Sequence, residues 1–196
     1  MSNPMISAII LAAGESKRMG EPKLLLPFGS STILEQSIDN LLNSGVGEVI
    51  AVVGDRAQEM IKRIAHRPVK VALNPDYGEG MSTSIASGLS LVDNSAVAIM
   101  LVLADQPLID SDTINTLIKA FFNNTKGIVI PTYQERRGHP IIFSTIYREE
   151  LTGLKGDVGG KQIIKQHPDD ILEIAVKTQS INIDIDTMEN YHSAIN

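Results

Sequence analysis

The stretch AIILAAGESKRMGEPKLLLP, residues 8–27, contains the strongest structural signal in the chain. Its first four residues, Ala8–Leu11, are apolar and predict a short buried strand. The apolar run ends at Ala12-Ala13-Gly14, where small side chains let a ligand come close to the backbone. Arg18 and Lys23 follow in a loop with glycine and proline, so two cations and backbone N–H groups can meet an anion there. These features predict a binding site for a triphosphate.

The same features also have an ordinary structural explanation. A strand, a glycine turn and surface cations occur together in many α/β domains, whatever those domains bind. The chain contains neither the GxxxxGK[ST] phosphate loop nor the GxGxxG dinucleotide fingerprint. On local chemistry alone, residues 8–27 leave both a phosphate site and a plain strand–loop connection open.

Size and composition limit the class of protein. A chain of 196 residues suits one domain, and we expect a single domain over residues 1–196. Hydrophobic residues make up 43% and charged residues 20%, a balance typical of a soluble globular protein. The net charge of −6, with no basic stretch, argues against nucleic acid as a partner. The absence of cysteine excludes disulfides, thiolate catalysis and cysteine-ligated metal centres.

No pattern in the sequence predicts export or membrane insertion. The first residues, MSNPMIS, have neither the charged region nor the long apolar region of a secretory signal. The longest apolar run, residues 96–104, is about half as long as a membrane span requires. We therefore expect a cytoplasmic enzyme or binding protein with no membrane partner.

Strand and helix patterns alternate along the chain, which predicts an α/β fold with a largely parallel sheet. Residues 48–53 (EVIAVV), 69–73 and 127–131 are strand candidates. Residues 96–103 (AVAIMLVL) are apolar on both faces, which predicts a strand in the middle of the sheet. Residues 181–185 (INIDI) alternate and predict a further short strand near the end of the chain.

Asp105 directly follows the predicted central strand. Ligands of open α/β sheets bind outside the carboxyl ends of the strands, so this carboxylate lies where chemistry is expected. Its structural alternative is to cap a helix that begins near Asp112, but Asp110 and Ser111 are candidates for that role. We therefore predict that Asp105 is a metal ligand.

A second carboxylate is available near the end of the chain. Asp184 and Asp186 would point to the same face of the predicted strand. Asp186 could instead cap the last helix together with Glu189. Since Mg²⁺ is commonly held by one or two carboxylates plus substrate phosphates, Asp105 and Asp186 are the predicted magnesium ligands.

Three further segments carry polar groups that have either a structural or a ligand-binding role. Ser82 and Ser84 begin a helix predicted over residues 82–91, where they either cap it or contact a ligand. His139 lies in a turn after two arginines, which suits an anionic group, although a single histidine is more often structural. Residues 153–161 (GLKGDVGGK) are either a second anion loop or a flexible linker.

Residues 11–34, LAAGESKRMGEPKLLLPFGSSTIL, resemble the first motif of the nucleotidyltransferases, LAAGxSxRMGxxKxLLPxxGxxLL. The resemblance is strongest to the molybdenum cofactor cytidylyltransferases and their purine-catabolism relatives. It continues through five more motifs: NPxxxxGM at 74–81, LADQP at 103–107, RGHP at 137–140, GDxGG at 156–160 and DIDT at 184–187. The family's last motif continues with proline, where this chain has Met188.

The resemblance implies a fold and an activity. The fold is a single Rossmann-like three-layer domain of the nucleotide-diphospho-sugar transferase type. The activity is Mg²⁺-dependent transfer of CMP from CTP to the terminal phosphate of molybdopterin, with release of pyrophosphate. It also implies a role in maturing a molybdenum hydroxylase such as xanthine dehydrogenase, which would be the protein partner.

The resemblance also implies roles for individual residues. The catalytic group comprises Arg18, Lys23 and Asp105. The nucleotide-binding group comprises Leu11, Ala12, Ala13, Gly14, Lys23, Asn74, Gly80, Ser82 and Ser84. The acceptor-binding group comprises Gln106, His139, Asp157 and Gly159. A phosphate acceptor is ionised near neutral pH, so no general base is required.

Ala13 bears on the choice of nucleotide. It stands where the guanylyl-transferring relatives carry glycine (LAGG), and its methyl group should disfavour a purine. CTP is therefore the expected nucleotide. The alternatives are a sugar- or isoprenoid-phosphate nucleotidyltransferase, or a non-catalytic protein that carries a nucleotide or cofactor.

Overall fold

The computed structural model describes residues 4–16 and 19–195 of the chain. The strands are β1 (Met5–Ala12), β2 (Pro27–Phe28), β3 (Ser31–Thr32), β4 (Glu48–Val53), β5 (Lys70–Leu73), β6 (Ala96–Leu103), β7 (Ile128–Tyr133), β8 (Arg136–Arg137), β9 (Ile141–Ser144) and β10 (Ile171–Ala175). The α-helices are α1 (Ile33–Leu42), α2 (Ala57–Ile64), α3 (Met81–Leu89), α4 (Ser111–Phe122), α5 (Arg148–Thr152), α6 (Lys161–Gln166) and α7 (Met188–Ile195). None of these helices is both long and apolar enough to span a bilayer.

The main sheet is mostly parallel, as predicted. Its strand order is β10-β7-β9-β6-β1-β4-β5, with β8 added to β7. β1 pairs in parallel with both β4 and β6, whereas β9 runs antiparallel to β6 and β7. The all-apolar strand β6 lies in the middle of this order, which its two buried faces require. The carboxyl ends of β1, β4, β5 and β6 therefore meet at one edge of the sheet.

Hydrophobic clusters cover both faces of the sheet and give a three-layer fold. Ile10 of β1 packs with Ile38 of α1 on one face, and its neighbour Ile9 packs with Ile85 of α3 on the other. All four side chains are fully buried. Burial of such a side chain contributes about 1.5–3 kcal/mol to folding. The α/β fold class predicted from the sequence is thus confirmed.

Local capping in the structure separates structural from functional roles. Asp110 caps α4, because its carboxylate accepts a 2.7 Å hydrogen bond from the Thr113 N–H. Gly80 precedes α3 without any side-chain cap, so neither Ser82 nor Ser84 caps that helix. Thr187 caps the start of α7 by accepting from the Asn190 N–H at 3.1 Å. Thr187 therefore supplies a side-chain cap for this helix.

The strand predicted over residues 181–185 is wrong. Residues Gln179–Asn182 form a 3-10 turn, and residues 183–187 form no regular element. Thr178 tightens this turn by accepting from the Ser180 N–H, and Ile181 and Ile185 are both fully buried. The alternating pattern therefore reflects two buried anchors four residues apart. The Ile185 N–H donates to the Asp105 carbonyl at 2.9 Å, which brings this segment beside the end of β6.

Candidate active site

A pocket of about 240 Å³ opens at the carboxyl ends of β1 and β6. Many of the residues predicted to bind nucleotide or catalyse line it: Leu11, Ala12, Ala13, Gly14, Lys23, Gly80, Ser84 and Asp105. The first four of these residues lie at the end of β1 and in the turn that follows it, and Asp105 lies two residues after the end of β6. Arg18 lies outside the described residues. A single pocket therefore brings together three segments that are far apart in sequence.

Lys23 joins the two predicted metal ligands. Its Nζ donates to Asp105 Oδ2 at 2.6 Å and to Asp186 Oδ1 at 2.7 Å. The side chains of Lys23 and Asp105 are only 15% and 19% exposed, and that of Asp186 is 36% exposed. Two carboxylates 81 positions apart in the sequence thus reach the same nitrogen atom.

Burial and charge oppose each other around Lys23. Burial lowers the pKa of its ammonium group, but the bonds to Asp105 and Asp186 outweigh burial and raise the pKa above the ordinary value. Lys23 is therefore a cation at neutral pH. Burial raises the pKa of Asp105, which Lys23 opposes, while the charges of Asp184 and Asp186 raise it further. Among the described residues, Asp105 thus lies close to one ammonium group and to two further carboxylates.

The carboxylates fit a divalent ion on a further ground. Asp105 Oδ1 is buried and has no hydrogen-bond partner, whereas Oδ2 is bonded to Lys23. Asp184 Oδ1 accepts a 2.6 Å bond from Gln106 Nε2, whereas Asp186 Oδ1 accepts from Lys23 Nζ. Among residues 4–16 and 19–195, no group of three or more acidic, histidine or cysteine side chains is arranged to hold a metal. Two carboxylates plus substrate phosphates are nevertheless a common set for Mg²⁺.

Asn74 and Ser82 lie beneath the pocket surface. Asn74 is 2% exposed, and its amide donates to Thr83 Oγ1 and Ser84 Oγ at 2.9 Å each. Ser82 is 3% exposed, and its N–H donates to the Gly156 carbonyl at 3.2 Å. Both residues hold the loop that carries the pocket wall.

The predicted acceptor residues fall into two places. Gln106 lies beside Asp105 and donates to the Ile181 carbonyl at 3.3 Å as well as to Asp184. The backbone N–H of His139 donates to the same Ile181 carbonyl at 3.1 Å. Burial, followed by the charge of Lys161, lowers the pKa of His139 to about 4, so its ring is neutral at pH 7.

Asp157 and Gly159 lie at α3 instead. Asp157 lines the same pocket as Ala13, and its Oδ1 accepts from the Met81 N–H at 3.4 Å. A Cβ added at Gly159 would lie 3.0 Å from Met81 Sδ. The structure therefore places Asp157 on the pocket that Ala13 and Asp105 also line.

Sequence reasoning did not identify five pocket residues: Glu15, Leu24, Tyr77, Met81 and Leu103. Glu15, Leu24 and Leu103 adjoin predicted residues. Tyr77 and Met81 fall within the NPxxxxGM motif, where only the motif's asparagine and glycine had been assigned roles. The presence of an aromatic residue and a methionine in this loop was the sequence feature that could have pointed to Tyr77 and Met81.

The fold and the pocket define a nucleotide-handling α/β enzyme of the nucleotidyltransferase class. Residues 8–171 match the family described as the MobA-like NTP transferase domain, and the chain belongs to that family. The relatives predicted from the motifs are thereby confirmed.

Three proteins show the similarity over nearly full length. Molybdenum cofactor cytidylyltransferase of Escherichia coli is 30% identical over 196 residues, which cover 96% of this chain and 95% of that protein. Nicotine blue oxidoreductase of Paenarthrobacter nicotinovorans is 29% identical, with 96% of each chain covered. Purine catabolism protein PucB of Bacillus subtilis is 28% identical, with 97% of this chain and 96% of that protein covered.

Solved structures give the same result. Rv0371c of Mycobacterium tuberculosis superimposes with a TM-score of 0.89 at 28% identity, covering 100% of this chain and 99% of that one. A structure of Rv0371c described as a complex with manganese superimposes with a TM-score of 0.84 at 26% identity, covering 99% of both chains. The nucleotide-diphospho-sugar transferase type of fold predicted from the sequence is confirmed.

Proposed function

We propose that this chain transfers CMP from CTP to the terminal phosphate of molybdopterin, with release of pyrophosphate, and that it uses Mg²⁺. The observation that carries the proposal is the Lys23 contact with Asp105 and Asp186, set in a pocket whose wall is the Ala13–Gly14 turn. The similarity to molybdenum cofactor cytidylyltransferase supports the acceptor. The similarity to a structure described as a manganese complex supports a divalent ion.

The reaction requires one bond to form and one to break. An oxygen of the acceptor phosphate attacks the α-phosphorus of CTP, and the bond from that phosphorus to the bridging oxygen breaks. The electron pair of this bond leaves with pyrophosphate. Such transfer depends on in-line positioning and charge stabilisation more than on covalent help from the protein.

Residues of this chain supply those two requirements. Lys23, and Arg18 by its place in the motif, neutralise the triphosphate. Asp105 and Asp186 would hold the divalent ion, which supplies further neutralisation of the phosphates. The acceptor phosphate is already ionised, so no general base has to remove a proton from it, and the His139 ring is uncharged at pH 7. Gln106, His139 and Gly159 remain the proposed acceptor contacts.

The wider setting is also a proposal. We expect the chain to act as one domain over residues 1–196 in the cytoplasm and to serve a molybdenum hydroxylase. PucB, named for purine catabolism, supports a hydroxylase such as xanthine dehydrogenase. The test is whether the chain, CTP and molybdopterin cofactor together restore activity to the apo-hydroxylase, compared with the chain lacking CTP.

A second candidate function comes from the relative named an oxidoreductase. It is nearly as similar to this chain as the cytidylyltransferase is, so the degree of identity does not separate the two. The sequence contains no GxGxxG fingerprint, which is one common signature of a dinucleotide site. Transfer is therefore favoured by the Lys23–carboxylate arrangement and by the nucleotidyltransferase motifs.

One screen decides between these candidates. Pyrophosphate release is measured with each of the four nucleoside triphosphates and Mg²⁺, with and without molybdenum cofactor. Parallel reactions contain a sugar phosphate or an isoprenoid-alcohol phosphate as acceptor, or NADPH with a quinone. We expect release only with CTP and molybdenum cofactor. Release with another acceptor, NADPH oxidation, or nucleotide binding without any transfer would each support one of the alternatives.

A further inference from the structure

We propose that the Asp157 carboxylate distinguishes cytosine from uracil in the pocket, an inference that rests on the nucleotide-transfer function proposed above. Sequence similarity had grouped Asp157 with the acceptor residues. Its contacts in the structure also place it beside the residues predicted to bind nucleotide. They join it to the turn between β5 and α3, on the pocket wall that Ala13 and Ser84 also line.

Close backbone packing fixes Asp157 against this turn. Gly80 has a φ of +114°, and a Cβ there would lie 2.5 Å from the Gly156 carbonyl carbon and 2.6 Å from the Asp157 nitrogen. The Ser82 N–H donates to the Gly156 carbonyl at 3.2 Å. The Met81 N–H donates to Asp157 Oδ1 at 3.4 Å. The carboxylate is therefore held at the pocket by its own backbone as well as by its side chain.

Charge determines which part of a nucleotide reaches Asp157. Lys23 is the cation among the described residues that line the pocket, and it is bonded to Asp105 below the end of β6. Phosphates need a cation, so they bind at Lys23, where the divalent ion of the proposed function would offset Asp105 and Asp186; the described pocket residues beside Asp157 include no cation. The triphosphate therefore lies towards Lys23, and the base lies towards Tyr77, Met81 and Asp157.

A carboxylate at the base side discriminates by hydrogen bonding. Ionised aspartate only accepts hydrogen bonds. The exocyclic amino group of cytosine donates, and aspartate is a known partner for it, whereas uracil presents a carbonyl oxygen at the same position. Two facing acceptors leave both groups unpaired. A preference of about 10- to 100-fold for CTP over UTP is expected from one such contact.

The contact cannot exclude purines by the same means. Guanine also carries N–H donors that a carboxylate could accept, so Asp157 would tolerate it. Rejection of GTP then depends on the space beside Ala13. Asp157 would thus respond to the hydrogen-bond donors of the base, and Ala13 to the size of the base.

Asp157 also has a purely structural explanation, in which its carboxylate only anchors the loop through the Met81 N–H. The two explanations predict different results for Asp157→Asn. The asparagine Oδ1 still accepts from Met81, and its Nδ2 can donate to the uracil carbonyl. A structural role predicts equal changes for CTP and UTP, whereas base recognition predicts a change in their ratio.

The experiment measures the Kd values of CTP and UTP with Mg²⁺ by titration calorimetry, without any acceptor. The wild-type chain is compared with Asp157→Asn, with Asp157→Ser as a second variant and with Glu79→Gln as a control. Glu79 is an exposed carboxylate in the same turn, so Glu79→Gln removes the same charge nearby. Melting curves verify that each variant folds.

We expect the CTP preference to fall to within about threefold of unity in both Asp157 variants and to stay unchanged in Glu79→Gln. Equal loss of CTP and UTP binding, or no wild-type preference, would overturn the inference. If CMP transfer proceeds but the ratio of the CTP and UTP Kd values is the same in the Asp157 variants as in the wild type, base recognition by Asp157 is wrong and the proposed transfer stands. If the ratio collapses but no acceptor is modified, the proposed transfer fails and base recognition stands.

Discussion

Lys23→Met removes the nitrogen that joins Asp105 to Asp186 and keeps a side chain of similar length. The ammonium contacts are 2.6 and 2.7 Å long, and only Asp186 is as much as 36% exposed. Breaking a buried ion pair costs about 3–5 kcal/mol, and an exposed pair contributes about 0–1 kcal/mol. This pair lies between these cases, so we expect a loss of about 1–3 kcal/mol in the free energy of unfolding.

The loss is measurable as a shift in melting temperature. For a chain of this size, 1 kcal/mol corresponds to about 2–4 °C, so Tm should fall by about 2–12 °C. The pKa of Lys23 is raised by folding, so its contribution is complete at any pH below the ordinary value of 10.5 and is lost only as pH rises through the folded pKa. A measurement at pH 7 therefore records the full effect. Lys119→Met, at an exposed position on α4, is the matched control.

Ligand binding gives the sharper test of the same substitution. In Lys23→Met the two carboxylates face each other without the ammonium group, so Mg²⁺ or Mn²⁺ should raise Tm more in the variant than in the wild type. The affinity for CTP should fall by about 10- to 100-fold, since a charged hydrogen bond contributes about 1.5–3 kcal/mol. Cytidine affinity should not change. An equal loss for CTP and cytidine, or an equal metal response in both proteins, would refute the reasoning.

Three other substitutions test separate parts of the proposal. Asp105→Ala should abolish pyrophosphate release while Tm falls by less than in Lys23→Met, because Lys23 keeps its bond to Asp186; a fall in Tm larger than that of Lys23→Met would instead mark Asp105 as structural. Ala13→Gly should narrow the CTP/GTP ratio of kcat/KM, and an unchanged ratio would contradict the size argument. His139→Gln should make the free energy of unfolding less sensitive to acid. The pKa of His139 is about 4 in the folded chain and 6.5 in the unfolded chain, so between these pH values the unfolded chain binds a proton that the folded chain does not. The stability of the wild-type chain should therefore fall by about 3 kcal/mol as pH drops from 6.5 to 4. Urea unfolding at several pH values measures the difference, and parallel curves for the two proteins would rule it out.

Features set by neighbouring residues were predictable from the sequence. The strands over residues 48–53 and 96–103 have the predicted bounds, because runs of buried apolar residues end at turn-forming residues. The helix cap at Asp110 was among the predicted candidates, since it depends on one side chain and a nearby N–H. Family motifs supplied most of the pocket, because each motif is a short continuous segment.

Features set by distant contacts were not predictable in this way. Asp157 reaches the pocket only because Gly156 packs on Gly80, 76 positions earlier in the chain, and sequence spacing does not reveal that contact. The alternation in residues 181–185 resembled a strand, but two buried isoleucines in an irregular segment produce the same pattern. Asn74, which the resemblance assigns to nucleotide binding, has its amide bonded to Thr83 and Ser84.

The charges in the pocket constrain how it can accept a triphosphate. Asp105, Asp157 and Glu15 line it together with a single described cation, Lys23, whose ammonium group is already shared between Asp105 and Asp186. A polyanion that approached alone would have to draw the Lys23 ammonium group away from Asp105 and Asp186. A divalent ion that approached alone would have to displace the same ammonium group. When the triphosphate and the divalent ion bind together, the Lys23 ammonium group can contact the phosphates while the carboxylates contact the metal. On this reasoning the metal and the triphosphate bind cooperatively, and Lys23 is the residue through which each affects the other.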